Sequence, residues 1–186
     1  MKHIGFVEAE GGPLVLIDSA LARSWAGVEG DDYERACEFF DSHASAKGGA
    51  ISIGSGSALI WEMSGAGRAD IYKIEGNGII IMRAWLAQNA ETSVLKTLAE
   101  EPTEKLTDLG EIEIDSNGIA ILWATESGHS IDDSVSQKVR RPQSLNLDNA
   151  GLIVPLMSGK YVAKHDSIKR LGGEAQRLHL KLRCAK

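Results

Sequence analysis

The sequence has little that would tie it to an oxidising compartment, a membrane or a metal. Only two of its 186 residues are cysteines, Cys37 and Cys184, and they fit no metal-ligand or redox spacing. Cys37 is predicted to be a buried free thiol. No apolar stretch approaches the roughly 20 residues that span a membrane, and Glu8 and Glu10 come too early for a signal peptide. We therefore predict a cytoplasmic protein that does not bind a membrane.

The sequence also lacks a recognisable catalytic, cofactor-binding or metal-binding motif. The segment Gly54-Ser55-Gly56-Ser57-Ala58 lacks the Lys-Ser/Thr of a phosphate-binding loop. Residues 115–118 begin like a calcium loop but have no terminal Glu at the required place. None of the five histidines belongs to a pair at metal-ligand spacing, and each is predicted to lie at the surface. We expect no enzyme activity, no cofactor and no bound metal.

Charge is distributed unevenly along the chain. Residues 1–50 carry nine acids and four bases, residues 101–150 carry ten acids and four bases, and residues 151–186 carry two acids and eight bases. An acidic body is not what a nucleic-acid-binding protein presents, so nucleic acid is not expected as a partner. Two interpretations remain open. Either the late Lys and Arg side chains pair with neighbouring acids, or the acidic surface meets a basic partner.

Periodicity predicts an α+β fold in which antiparallel sheets dominate and two or three short helices occur. Apolar residues alternate with polar ones along residues 70–74, 111–115 and 178–183, as in strands with one buried face. The Ser116-Asn117-Gly118 turn predicts a hairpin between residues 111–115 and 119–123. Helices are predicted from Asp18 or Ser19 through Trp25, over residues 31–41, and over residues 91–100, where Pro102 follows.

The helix predicted over residues 31–41 has a clear apolar stripe. Tyr33, Ala36, Cys37 and Phe40 follow one another at i, i+3, i+4 and i+7, so they should face inward. Asp31 can cap this helix, and Glu34 stands at the reciprocal position of a capping box. The remaining side chains, Asp32, Glu34, Arg35 and Glu38, are expected in water.

Parts of the first half recur in the second half. Gly12-Pro13-Leu14 and Gly118-Ile119-Ala120 each lead into an apolar strand, at an offset of 106 because 118 − 12 = 106. Tyr72 and Tyr161 fall in corresponding strands, at an offset of 161 − 72 = 89. Internal duplication of a β unit would explain the pattern, and so would chance similarity between two β-rich halves. We predict two β-rich units, residues 1–100 and 101–186, which can also form one compact domain.

Several separated segments carry a family resemblance. They are Phe6-Val7-Glu8-Ala9-Glu10-Gly11-Gly12-Pro13-Leu14, Trp25-Ala26-Gly27, Asp32-Tyr33-Glu34-Arg35-Ala36-Cys37 and Gly159-Lys160-Tyr161-Val162. In order and spacing they resemble the polymorphic-toxin immunity protein family 21 of bacteria. The resemblance implies a protein that binds and neutralises one cognate toxin in the producing cell and performs no reaction. It names neither the toxin nor the residues that bind it.

The best partner-binding surface visible in the sequence is the acidic stretch Glu29, Asp31, Asp32 and Glu34 beside Trp25. Tryptophan is enriched at the centres of interfaces, and carboxylates can pair with the basic groups of a nuclease-type toxin. Purely structural roles for these residues stay open as well. Trp25 can be a core residue, which is the commoner role, and acids at this position also favour the start of a helix.

A different class of function also stays open. The chain could be a small-ligand-binding module or an enzyme, with a site in a cleft between the two β units. The oligomeric state cannot be predicted from this sequence.

Overall fold

The structure is a computed structural model of the chain. It describes residues 1–9, 11–62, 66–85, 97–102, 105–116, 118–130, 142–144, 149–170 and 173–183. Its twelve strands are β1 (Lys2–Ala9), β2 (Leu14–Asp18), β3 (Gly48–Ile53), β4 (Gly56–Trp61), β5 (Gly67–Ile74), β6 (Gly78–Trp85), β7 (Thr107–Ile114), β8 (Gly118–Trp123), β9 (Gln143–Ser144), β10 (Gly151–Pro155), β11 (Gly159–Arg170) and β12 (Gly173–Leu182). The described residues also include the α-helix α1 at Asp32–Ser42 and the 3₁₀ turns Ala22–Ser24, Gly27–Glu29 and Gly128–Ser130.

The strands form two six-stranded sheets, in which every described pairing is antiparallel. Sheet I has the order β1-β5-β6-β12-β11-β7, and sheet II has the order β3-β4-β2-β8-β10-β9. The predicted predominance of antiparallel sheets is confirmed. Because each strand alternates between two faces, the two sheets pack with a shared apolar core between them, and this core includes Leu16, Trp61, Ile81 and Leu178.

Each sheet also has a covered outer face. On sheet II, Val15 and Ile17 pack outward against Trp25, which directly follows the 3₁₀ turn Ala22–Ser24, and against Ala36 of α1. On sheet I, the described residues 97–100 are helical, and Leu98 and Ala99 pack against outward-facing apolar side chains such as Met82. The central strands of sheet II are therefore apolar on both faces, which explains the continuous apolar run in β2.

Strand order is symmetric about the middle of each sheet. Adding six to the strand number converts β1-β5-β6 into β7-β11-β12 in sheet I, and β3-β4-β2 into β9-β10-β8 in sheet II. Each sheet thus contains three strands from residues 2–85 and three from residues 107–182. The predicted unit boundary at residue 100 does not separate two independent sheets.

The offset of 106 predicted from the sequence matches residues that lie on opposite faces of sheet II. At an offset of 106, Leu14 would match Ala120, but Leu14 faces the core between the sheets and Ala120 faces outward. An offset of 119 − 14 = 105 matches Leu14 with Ile119, and both face that core. Tyr72 and Tyr161 lie in the corresponding strands β5 and β11, yet their rings point to opposite faces of sheet I.

The predicted hairpin between residues 111–115 and 119–123 is also wrong. Strand β7 pairs with β11 in sheet I, while β8 pairs with β2 and β10 in sheet II. The turn crosses between the sheets because the Asp18 carboxylate accepts hydrogen bonds from the backbone N–H groups of Asp115 and Ser116, at 2.6 and 2.9 Å. Asp18 therefore forms a corner of the sandwich and does not cap a helix.

The helix predictions are met in part. The segment expected to be helical up to Trp25 contains only the 3₁₀ turn Ala22–Ser24, which has no side-chain cap. Helix α1 matches the prediction within one residue at each end, but Asp31 forms no side-chain capping hydrogen bond. Of the helix predicted over residues 91–100, residues 91–96 lie outside the described part of the chain.

Candidate functional site

Helix α1 packs one face on the outer side of sheet II. Ala36 is fully buried there, while Tyr33 and Phe40 are half-buried against the same cluster. Phe39 packs there too, although the predicted stripe left it out. Cys37 is half-buried rather than buried. Its hydrogen bond with Tyr33 is the main cause of a raised pKa of the Tyr33 hydroxyl. The predicted inward face is thus correct in direction, but most of it is not fully buried.

Trp25 lies in the core and not on the surface. Its side chain is fully buried, and its indole N–H donates a 3.0 Å hydrogen bond to the carbonyl of Ala124. A buried tryptophan of this kind contributes packing area and a satisfied donor. The core role preferred from the sequence is confirmed, and Trp25 does not present a side chain to a partner.

Asp32 is also a structural residue, contrary to the prediction that it lies in water. Its side chain is nearly buried, and one carboxylate oxygen accepts a 2.7 Å hydrogen bond from the backbone N–H of Ala26. The other oxygen accepts a 2.9 Å bond from Arg35. Asp32 therefore ties the start of α1 to the chain segment that precedes the Gly27–Glu29 turn.

The other predicted acids remain exposed, and further acids continue the row. We use the name acidic surface for Glu29, Asp31, Glu34, Glu38 and Asp41, which are all exposed. The last four follow at spacings of three, four and three, so they share one face of the helix. In the described part of the chain, no Lys, Arg or His forms an ion pair with any of these five acids.

An exposed apolar residue borders the acidic surface. Val28 is 61% exposed, the highest value among the large hydrophobic residues that the structure describes. It precedes Glu29 in the 3₁₀ turn Gly27–Glu29. The surface therefore offers an apolar contact beside carboxylates, which is the composition of a mixed protein interface.

Close backbone contacts hold this region in place. The N–H of Val28 donates to the carbonyl of Thr125 at 3.1 Å, and the N–H of Gly128 donates to the carbonyl of Trp25 at 2.8 Å. Gly27 has φ of +59°, and an added Cβ would lie 2.4 Å from the Thr125 carbonyl oxygen. Only glycine satisfies both conditions. Two loops from different halves of the chain therefore fix the segment that carries Val28 and Glu29.

A second charged region lies under the helical segment on sheet I. Arg177 is fully buried, and its guanidinium binds both oxygens of the Asp166 carboxylate. It also donates to the carbonyls of Leu98 at 3.0 Å and Glu101 at 2.7 Å. His179 donates to Asp166 at 3.0 Å. Burial by itself would raise the pKa of Asp166, but the hydrogen bonds from His179 and Arg177 hold that pKa well below its usual range.

Two cavities flank the chain where it crosses this buried cluster. One, of about 190 Å³, is lined by Pro102, Asp166 and Lys169 among others. The other, of about 650 Å³, is open and is lined by residues from both halves of the chain, including the turn after β5, residues 99–102 and β12. Its lining mixes apolar and charged groups, including Met1, Ile74, Leu106, His179 and Lys181.

Comparison with known proteins decides the family. The model of the family described as Immunity protein 21 matches residues 5–169. The chain belongs to the immunity protein 21 family. No curated protein and no solved structure matches it. The resemblance seen in the sequence is therefore confirmed.

In this immunity protein 21 family member, several of the late basic residues are paired within the fold. Glu111 on β7 binds Arg183 at 2.6 Å and Lys160 at 3.8 Å, and Glu174 binds Lys169 at 3.6 Å. The interpretation that these bases pair with neighbouring acids is confirmed for these residues. The same pairing does not reach the acidic surface on α1.

The sequence missed the buried cluster of this family member. His165 and His179 were expected at the surface, but both are buried. The strict alternation of residues 178–183 did place His179 and Lys181 on one face of β12. It gave no sign that residues 97–102 cover that face. Within the described residues, no three His, Cys, Asp or Glu side chains are close enough to hold a metal ion. No described helix has the length and apolarity to cross a membrane.

Proposed function

We propose that this protein binds a cognate bacterial toxin and neutralises it by non-covalent contact, in the cytoplasm of the producing cell. The observation that carries the proposal is membership of the immunity protein 21 family across residues 5–169. That range includes the strands from β2 to β10 in full, and α1. The toxin would belong to a polymorphic toxin system, and its activity would be blocked by occupancy of its surface rather than by a reaction.

We propose the acidic surface as the contact region for the toxin. Helix stability does not explain its charges. Asp31 and Glu34 are favoured near the helix start, but Asp41 lies in the last turn, where the helix dipole disfavours an acid. Glu34 and Glu38 stand at i and i+4, where like charges are mildly repulsive. An acidic arrangement that helix stability does not explain, and that has no ion pair among the described residues, is consistent with a basic partner, which would approach faster and dock in one orientation.

The way this region is held also supports a binding role. Asp32, Trp25 and Gly27 each fix the segment between residues 25 and 32 by a buried hydrogen bond or a tight backbone contact. A surface that is already ordered loses little conformational entropy when a partner binds. Val28 would then supply the apolar contact that Trp25 was expected to supply.

The symmetric strand order suggests how the fold arose. We propose that residues 1–100 and 101–186 are two copies of one β unit that pack as a single sandwich. The equivalence of each strand with the one numbered six higher supports this proposal. So does the consistent placement of inner-face residues once the offset is corrected to 105.

Co-expression with the cognate toxin tests the proposed function. We expect cells to survive toxin expression only when this protein is present, and we expect the two proteins to co-purify. The double charge reversal Glu29→Lys and Glu34→Lys should weaken both effects. Glu113→Lys is the matched control, because Glu113 is an exposed acid on β7, in the other sheet. Failure of the unmodified protein to protect or to bind would reject the function.

A second candidate function is a small-ligand module, which the open cavity of about 650 Å³ favours. Both halves of the chain line this cavity, as the cleft hypothesis requires. Its rim carries Glu75, Glu100 and Glu101, whereas His179 and Lys181 lie on β12. The substitution Lys181→Glu separates the candidates. It should leave toxin protection intact if the acidic surface is the functional site.

A further inference from the structure

A buried histidine joins the two sheets near one side of the sandwich. Trp61 ends β4 in sheet II, and His165 lies on β11 in sheet I. The indole N–H of Trp61 donates a 3.2 Å hydrogen bond to Nδ1 of His165. Trp61 is fully buried and His165 is 4% exposed. Water therefore cannot easily replace either partner in this contact.

The chemistry of the two rings fixes the protonation state of His165. An indole nitrogen can only donate a hydrogen bond, so Nδ1 must be the unprotonated acceptor. The proton of the neutral ring then lies on Nε2, which donates to the hydroxyl of Ser167 at 3.3 Å. Both ring nitrogens are thus committed to the neutral tautomer.

Charged groups around His165 act in both directions. Burial is the largest influence and lowers the pKa of His165. The adjacent Asp166 carboxylate opposes this effect, while Lys47 and His179 add to it. Asp166 is already bound by Arg177 and His179, which weakens its ability to stabilise a second cation. Lys47 lies 3.8 Å from Glu62, which follows Trp61 in the chain.

We propose that Trp61 and His165 form an acid-sensitive lock between the two sheets. A proton on Nδ1 would place an N–H group opposite the indole N–H, so the hydrogen bond would be replaced by a repulsive contact. The Trp61–His165 lock would then open, and β4 would separate locally from β11. Trp61 pairs with Gly48 at the start of β3, and β3 is the first strand after α1. Opening therefore loosens the strand pair into which the helix leads.

The direction of the pH effect follows from linkage. In the unfolded chain a histidine has a pKa near 6.5, and in the folded protein the pKa of His165 is lower. The unfolded state therefore binds more protons between these two values, and the folded state loses stability as pH falls below about 6.5. A full proton difference raises the unfolding equilibrium constant about tenfold for each pH unit.

Nitrogen-15 NMR of the full-length protein tests the lock. At pH 7.5 we expect unprotonated Nδ1, protonated Nε2 and a slowly exchanging indole proton on Trp61. As pH falls below 6.5, the indole signal and the Nδ1 signal should change with one shared midpoint. Protonated Nδ1 at pH 7.5, or an indole signal that stays unchanged while His165 titrates, would overturn the proposal.

Variants separate the lock from other sources of acid sensitivity. His165→Asn keeps an acceptor near the Nδ1 position but cannot titrate, so the slope of stability against pH just below about pH 6.5 should become smaller. His43→Asn should retain the slope, because His43 is exposed on the surface. If His165→Asn does not fold, Trp61→Phe removes the donor instead and should make the slope smaller. An unchanged slope in the folded variant that is measured would contradict the lock.

Discussion

The acidic surface and the buried cluster around Arg177 differ in whether their charges are exposed and whether they are paired within the protein. Arg177 and Asp166 are almost inaccessible to water, and each satisfies the other together with His179 and backbone carbonyls. The five acids on and before α1 are exposed and have no ion pair among the described residues. The charges of the Arg177 cluster are therefore paired inside the protein, whereas the charges of the acidic surface remain accessible to a partner.

This difference suggests how structural and partner-binding charges can be told apart in this family member. A buried charge is very costly unless a partner compensates it, so its partner is found inside the same chain. An exposed charge contributes little to folding. Where several exposed acids share one helix face and have no ion pair among the described residues, we infer that their role lies outside the chain.

The largest expected effect is on stability, from Arg177→Ala. Removal of the guanidinium leaves the Asp166 carboxylate buried without its main partner, and three backbone carbonyls lose a donor. Loss of one member of a buried pair costs roughly 3–5 kcal/mol. Urea unfolding measures this change. Lys169→Ala is the control, since its ion pair is exposed and is worth less than about 1 kcal/mol. Equal effects of the two substitutions would contradict the structural role of Arg177.

Strong acid should lower the stability of the protein by protonating Asp166 in the same cluster. The pKa of Asp166 is lower in the folded protein than its ordinary value of 3.8. The unfolded chain therefore binds a proton first, and this contribution to stability is complete above about pH 4 and is lost as pH falls below it. Asp166→Asn should flatten the stability profile below about pH 4 but keep the loss of stability that begins below about pH 6.5. If the Asp166→Asn variant instead lost only the change that begins below about pH 6.5, the role of Asp166 in strong acid would be contradicted.

Phe40→Ala should have a moderate effect. The sequence alone predicts a loss of roughly 3–5 kcal/mol for a fully buried phenylalanine. Phe40 is half-buried in the structure, so we expect roughly 1–3 kcal/mol because less apolar area leaves water on folding. Thermal unfolding provides the measurement. A loss well under 1 kcal/mol would mean that this face of α1 is exposed and available to a partner.

Asp32→Ala should cost roughly 1–3 kcal/mol. The substitution leaves the backbone N–H of Ala26 without its acceptor and releases Arg35. Chemical denaturation of this variant beside Asp31→Ala is informative, since Asp31 is exposed and makes no capping bond. Similar small losses for both variants would show that Asp32 does not fix the segment before α1.

The sequence predicted where strands and helices lie better than it predicted which strands pair with each other. Alternation located most strands because a half-buried strand needs it, and the stripe on α1 identified its inner side. Alternation does not say which strand lies alongside, so residues 111–123 were assigned to a hairpin although they cross between two sheets. The decisive contact, from Asp18 to the backbone of Asp115 and Ser116, joins residues about 97 apart.

The candidate site was predicted only in part, because local spacing can be read from the sequence and contacts between distant segments cannot. The exposure of Asp31 and Glu34 follows from helical spacing, which is a local property. The burial of Asp32 depends on a hydrogen bond to Ala26, and the burial of His179 depends on a segment about 80 residues earlier in the chain. Tertiary contacts of this kind leave no periodic trace in the sequence.

The smallest expected effect on folding comes from the acidic surface itself. Glu29→Lys and Glu34→Lys should each change the free energy of unfolding by no more than about 0.5 kcal/mol, as is usual for exposed positions. Urea unfolding at neutral pH is the check. A large loss in either variant would mean that the fold uses these charges, and the contrast with the Arg177 cluster would disappear.

The rate of association with the cognate toxin tests the central claim most directly. Stopped-flow measurements at low salt should compare the unmodified protein, the Glu29→Lys and Glu34→Lys double variant, and the Glu113→Lys control. We predict that the double variant associates about tenfold more slowly, that the control is unchanged, and that added salt narrows the difference. Equal association rates for all three proteins at low salt would contradict the proposed role of the acidic surface.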